Sequence, residues 1–345
     1  MHVYTEAERL ADLGQFLASD PIRRVQTGAS SHVIIHRQGK SAVRYFPPAH
    51  PAGQVRRPLF ISMPLINTWT VFDLLPGMSV IEKLVAHGVP VYLLDWGRPG
   101  PEDVEVTLGE LVDDLLPRAL RRSARHARQH GHLAADELPD ALGYCVGGSF
   151  LSISLARNPG LARRMALLAA PIDFHASGRL SSWADKEGFP VDDIVDGFGN
   201  FPKAMMKDAF AWLRPMGQLS KWKTIYDKID HEGFPTTWAA MEQWNGDGVD
   251  FPGEAYRAYI KGCYFENALV GGGWVLDGRP VDLKQGTIPA HAFAAKADHI
   301  CPPAAAFGLS KAWGGPVSTE VVSGGHVGVC IGKSFPARLL AWIDA

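Results

Sequence analysis

Cysteine is scarce in this chain of 345 residues: there are four, at positions 145, 263, 301 and 330, and no two form a CxxC pair. That argues against both a disulfide framework and a thiolate zinc site. Long apolar runs are missing as well. Nowhere do about 18 apolar residues follow one another, so no spanning helix is expected. A surplus of one charge is also lacking, since 34 Lys and Arg stand against 36 Asp and Glu for a formal net charge of -2. No global field would then draw nucleic acid or an anionic membrane, and affinity has to come from a site. The opening residues carry Glu6, Glu8 and Arg9 and lead into no signal-peptide-like apolar stretch. Free thiols without an export signal point to the cytoplasm. No repeat of fixed period and no low-complexity linker divides the chain.

The composition is that of a globular protein, with 46% apolar and 20% charged residues. VIIHRQGKSAVRYF, residues 33–46, reads as two short strands around Gln38-Gly39-Lys40. PLFISMPLI from Pro58, PVYLLDW from Pro90 and RMALLAAPI from Arg164 are nearly continuous apolar runs, as expected for strands buried on both faces of a parallel sheet. Between the first two, SVIEKLVAHG from Ser79 has helical spacing with a serine at its start and a glycine at its end. A longer helical segment begins at Thr107. The alternation predicts an α/β fold with a mostly parallel, doubly wound sheet. From Phe174 to about Gly286 tryptophan, other aromatics, Gly and Pro accumulate and buried-strand runs disappear. This segment is read as an inserted cap subdomain, dividing the chain into a first core part over 1–173, a cap over 174–286 and a second core part over 287–345. The strand pattern resumes at IPAHAFAAKADH and VSTEVVSGGH, and a terminal helix is expected around 335–343.

Gly143-Tyr144-Cys145-Val146-Gly147, followed by Gly148, has the form of the G-x-S-x-G strand-to-helix turn that exposes the nucleophile in the α/β-hydrolase fold. The start of the following helix would favour a thiolate. A buried structural cysteine in a glycine-rich turn is the alternative. The fold's chain order places an acid after a late strand and a histidine after the last one. Asp298 and His326 stand at those two places, although a helix cap and a loop histidine would look the same singly. Together they form a candidate triad: His326 takes the Cys145 proton, and Asp298 fixes the imidazole. For the oxyanion hole, the Val146 N–H is the first candidate donor, and Ile66 or Asn67 in the loop after the Phe60 strand is the second.

These segments resemble the polyhydroxyalkanoate synthases, a cysteine branch of the α/β-hydrolase fold. The resemblance runs from about residue 58 to the end, through PLINTWTVFDLLPGMSVIEKLVAHGVPVYLLDWGRP, GYCVGG, LLAAPIDF, MEQWN, VDLKQGTIP, ADHICPP and GGHVGV in the family's order. It implies polymerisation of 3-hydroxyacyl-CoA with release of CoA, the acyl group being held on Cys145 as a thioester. It implies that Asp298 also serves the incoming 3-hydroxyl group, through the histidine. Trp244, Asn245, Ile66 and His299 become candidate substrate contacts. No cofactor is implied, because acyl-CoA is a substrate. The implied partners are the growing polyester, a second copy of the chain and a second synthase subunit, and the granule surface is an implied location. A thioesterase, a small-molecule acyltransferase and a catalytically silent granule-binding homologue are the competing readings.

Other features are set aside. GVCIGKS from Gly328 has three residues between its glycines where a phosphate loop needs four. His126, His130 and His132 lack a carboxylate or thiolate to complete a metal site. Arg118, Arg121, Arg122, Arg125 and Arg128 make a basic helical face, read as solvated. Cys301 and Cys330 are read as buried filler.

Overall fold

The structure is a computed structural model that describes residues 4–50 and 55–345. Its first sheet element is the expected hairpin, β1 (Val33–Gln38) and β2 (Ser41–Phe46), turning at Gly39 with φ 55°. The apolar runs then become β3 (Leu59–Ser62), β4 (Val91–Asp95) and β6 (Met165–Leu168), and the stretch before the glycine-flanked cysteine becomes β5 (Asp140–Tyr144). A small separate hairpin, β7 (Trp274–Leu276) and β8 (Arg279–Val281), precedes β9 (Ala290–Ala295) and β10 (Val317–Val322). The main sheet has eight strands in the order β1-β2-β4-β3-β5-β6-β9-β10. From β4 to β10 every neighbouring pair is parallel, and β2 joins β4 antiparallel. This is the topology of the α/β-hydrolase fold, with the hairpin completing one edge.

The runs are continuous because both faces of the sheet are covered. Leu59, Phe60, Ile61, Val91, Tyr92 and Leu93 have no exposed surface, and burial of a side chain of this size contributes about 1.5–3 kcal/mol. On one face lie the helices Leu116–Gln129 and Val146–Arg157. On the other lie Val80–Ala86 and the terminal Ser334–Asp344, tied together where His87 and Arg56 both reach Asp344, at 3.0 and 2.7 Å. The serine at the head of Val80–Ala86 caps it as expected, Ser79 Oγ accepting from the Glu82 N–H at 2.9 Å. The long helical segment from Thr107 begins as a π-helical stretch, Glu110–Leu115, and becomes α-helical at Leu116. Pro117 has no N–H to offer the carbonyl four residues back, and a wider turn there accommodates its ring.

Between β6 and β9 the chain is mostly helical. Val195, Phe251, Tyr256 and Tyr259 join the main core, while Ile225, Ile229, Trp238 and Ala239 form a smaller cluster of their own. Two sets of contacts cross the divisions drawn from the sequence. The stretch around β7 and β8 packs under the helix Val146–Arg157, where Arg157 donates to the carbonyls of Pro280 and Arg279 at 3.1 and 2.6 Å. The first helix, Glu6–Ala18, packs on the inserted segment and not on the sheet. Phe16 meets Trp238 edge-on at 6.2 Å, and Arg9 pairs with Asp230 at 2.9 Å.

Candidate active site

β5 ends at Tyr144, and the helix Val146–Arg157 begins one residue after Cys145, which takes φ 52° and ψ -136°. A side chain rarely adopts that conformation, and the cost is met by the surrounding backbone. The Cys145 N–H donates to Leu168 O at 3.0 Å, and its carbonyl accepts from the Gly148 N–H at 2.9 Å. The flanking glycines are required by close approach. A Cβ on Gly147 would stand 2.2 Å from Met63 O, and one on Gly148 would stand 2.5 Å from the Ala170 Cβ. The helix therefore starts hard against the end of β3 with the cysteine turned out of the sheet. Val146 is the first helical residue, so its N–H has no intrahelical acceptor.

Asp298 lies in the turn after β9 and His326 in the loop after β10. The imidazole Nδ1 is 2.7 Å from Asp298 Oδ2, and both side chains are largely buried, at 10% and 0% exposure. The other carboxylate oxygen, Oδ1, accepts from the backbone N–H groups of Ile300 and Cys301, each at 2.8 Å. The two loops are joined by a bond from Ala297 N–H to Gly324 O at 2.8 Å. Tyr144, next to the nucleophile, donates its hydroxyl to His326 O at 3.1 Å. Burial lowers the proton affinity of His326. The charge at Cys145 and the hydrogen bond to Asp298 outweigh it, so the imidazole pKa rises from 6.5 to about 10. Cysteine, histidine and aspartate thus meet in one buried cluster, a geometry able to move a proton from sulfur to imidazole and stabilise the resulting imidazolium.

The remaining expected residues divide. Ile66 and Asn67 are in the loop after β3, the strand beside β5. The Ile66 carbonyl accepts from the Val249 N–H at 3.2 Å, which ties this loop to the inserted segment. Trp244, expected at the entrance, is only 3% exposed, and its indole N–H is committed to Thr68 O at 2.9 Å. It is a framework side chain, not an open substrate contact. His299 is exposed although the carboxylate beside it is buried, and Asn245 is exposed too. Cys301 and Cys330 are fully buried, and burial pushes both thiols well up. Among the described residues no group of three or more His, Cys, Asp or Glu side chains is placed to hold a metal. A cleft of about 240 Å³ lined by Lys40, Leu65, Trp96, Asp103, Glu110 and Pro252 has no triad residue in its wall.

Sequence reasoning missed two aromatic residues. Tyr259 closes one helix of the inserted segment, and Tyr264 lies in the π-helical turn Ile260–Phe265 that follows. Their rings pack on Phe174 at 5.6 and 4.9 Å, and Tyr259 also meets Phe150 of the nucleophile helix at 6.0 Å. Burial, and then charge including that at Cys145, raises both phenols, so they remain protonated. The aromatic texture of the segment was visible in the sequence, but which rings face the nucleophile was not.

No family model matches the chain. Curated relatives do. It is 32% identical over 312 residues to the poly(3-hydroxyalkanoate) polymerase subunit PhaC of Allochromatium vinosum, covering 89% of this chain and 85% of that one. The protein of the same description from Haloarcula marismortui is 32% identical over 289 residues, 82% of this chain and 58% of the relative. That of Haloferax mediterranei is 29% identical over 320 residues, 91% and 63%. The chain thus spans about three fifths of the two haloarchaeal relatives. Among solved structures, naproxen esterase from Bacillus subtilis aligns over 100% of this chain and 99% of its own, at 14% identity and a TM-score of 0.45.

Proposed function

The chain belongs to the poly(3-hydroxyalkanoate) polymerase family, and we propose that it is an acyltransferase that moves 3-hydroxyacyl groups from coenzyme A onto Cys145 and from there into a polyester. The observation that carries this reading is a cysteine on the strand-to-helix turn, beside a histidine held by a buried aspartate at 2.7 Å, in a chain of this family.

In the first half-reaction the Cys145 sulfur attacks the thioester carbonyl, and its proton passes to His326. Negative charge on the carbonyl oxygen is met by the Val146 N–H, with the Ile66–Asn67 loop supplying the second donor. Collapse breaks the bond to the CoA sulfur, which leaves with the proton from His326. In the second half-reaction His326 takes the proton of a 3-hydroxyl group, whose oxygen attacks a cysteine-bound acyl group; an ester forms and the thiol is restored. Sulfur suits this cycle because a thioester holds the acyl group at nearly its energy in CoA, so transfer to an alcohol remains favourable.

Asp298 acts through His326 in this scheme. One of its oxygens is engaged by the imidazole and the other by two backbone N–H groups, leaving none directed at a substrate. Burial of Cys145, which is 8% exposed, supports the exclusion of water that would release the chain as free acid. No cofactor is required. A second copy of the chain, a second subunit and the granule surface belong to the same proposal; no helix among the described residues is long and apolar enough to cross a membrane.

The test is incubation of purified protein with 3-hydroxybutyryl-CoA, alone and with a candidate partner subunit, following thiol release and polymer together. Both should appear, and Cys145→Ala should abolish both. Normal CoA release by that variant would rule out the nucleophile, and free acid formed as fast as CoA would make the protein a thioesterase.

A further inference from the structure

β1 is the first strand of the sheet and pairs on one side only, with β2. Its backbone makes no hydrogen bond to any other part of the described chain. Such an edge presents a row of unused N–H and C=O groups and is a template for another strand. Two further observations converge on it. Val33 and Ile34 are exposed, at 57% and 36%. The helix Leu116–Gln129 also runs beside it and carries exposed Arg118, Arg121, Arg122 and Arg125 at the spacing of one face. Apart from burial, the charges of Arg122 and Arg118 are what lower the proton affinity of His36, which places the row within electrostatic reach of the strand.

Of these arginines only Arg118 is paired, with Asp114; Arg121, Arg122 and Arg125, and Arg37 on β1 itself, make no ion pair among the described residues. The chain as a whole is close to neutral, so this is a local concentration of cations. An arginine row protects an edge from basic or neutral strands and selects an acidic one. We infer that the open edge of β1 and the arginine row beside it form a docking surface for an extended acidic segment of a partner protein, which adds to the sheet as a further strand. Backbone pairing along β1 supplies the affinity and the guanidinium groups choose the partner, the usual division of labour in strand addition. A lipid or nucleic-acid surface would use the arginines but not the strand edge. The inference does not depend on the chemistry at Cys145.

The experiment uses the whole chain and a fluorescein-labelled peptide of alternating glutamate and valine. A lysine-valine peptide, phosphatidylglycerol vesicles and duplex DNA serve as competitors. Anisotropy should show saturable binding of the acidic peptide that weakens with added salt, and hydrogen exchange should slow at the amides of β1 and not at those of the opposite edge, β10. Arg122→Glu with Arg125→Glu should weaken binding by roughly tenfold or more. Arg122→Gln with Arg125→Gln gives a smaller loss in the same direction, should the reversed pair disturb folding. The surface is overturned by no binding at low salt, by equal binding of the lysine peptide, by binding without slowed exchange in β1, or by a preference for vesicles or DNA.

Discussion

The turn that carries Cys145 and the inserted segment above it are held by different means. At the turn, position is dictated by backbone against backbone. Gly147 has no room for a methyl group, and the atoms it would strike are main-chain atoms of Met63 and Ser62. In the inserted segment, position rests mainly on side chains, through aromatic packing, a Trp244 hydrogen bond and surface ion pairs, with a few backbone bonds such as that from the Val249 N–H to Ile66 O, while Phe198, Trp212, Met216 and Leu219 remain exposed at 62–69%. A site fixed by backbone contact tolerates almost no change, whereas one fixed by side chains can be repacked. The turn that carries Cys145 rests on the first kind and the aromatic packing around it on the second.

The largest effect expected from this contrast is that of Gly147→Ala. The added carbon would lie 2.2 Å from Met63 O, and a main-chain atom of a buried strand end has nowhere to go. Stability should fall by about 3 kcal/mol or more. Misplacing the sulfur by an ångström should cost CoA release on the order of a hundredfold. Urea unfolding and CoA release measure the two losses, and near-wild-type values in both would show that the turn is less constrained than its contacts imply.

Asp298→Asn comes next. The asparagine keeps the shape but loses the carboxylate that orients the imidazole, and roughly 10²–10⁴-fold should be lost from turnover. Because Asp298 reaches the substrate only through His326, single-turnover acylation and chain growth should fall together. If chain growth alone collapsed, the carboxylate would have to act on the 3-hydroxyl group directly.

A subtler effect concerns the proton on His326. Its folded pKa, about 10, lies above the reference of 6.5. The stability this proton carries is therefore complete below about pH 6.5 and disappears as pH rises through about 10. Cys145→Ala removes one of the causes and should bring the imidazole titration down. Histidine-resolved NMR would show it, and a wild-type His326 that titrated near its reference value would refute the ion-pair picture.

The same division explains what could be read from the sequence. β3, β4 and β6 were legible because burial on both faces makes them continuous apolar runs, and β5 with Cys145 because close backbone approach demands glycine on both sides of the cysteine. Asp298 and His326 followed from their place after late strands. The role of His299 did not, because the turn after β9 buries one side chain and exposes the next, and adjacency in sequence says nothing of which. Trp244 was a candidate substrate contact only through the family resemblance; the position of Thr68 shows where its indole donor goes. The docking of Glu6–Ala18 on the inserted segment was illegible for the same reason, since the Arg9–Asp230 pair joins residues far apart in sequence.

The smallest effect, and the sharpest counterpart to Gly147, is expected at Gly197. It lies in the helix Val191–Phe198 of the inserted segment, is exposed, and a Cβ there would meet nothing within 4 Å. Its φ is not in the left-handed region, so alanine fits the native backbone and lowers the entropy of the unfolded chain. Gly197→Ala should therefore stabilise the protein by about 0.5–1 kcal/mol, seen as a higher urea midpoint, with CoA release unchanged. The same chemical change would then have opposite signs in the two regions. If Gly197→Ala were stabilising but slowed CoA release, the helix would have to bend during turnover, and the inserted segment would be limiting the reaction by its motion as well as by its packing.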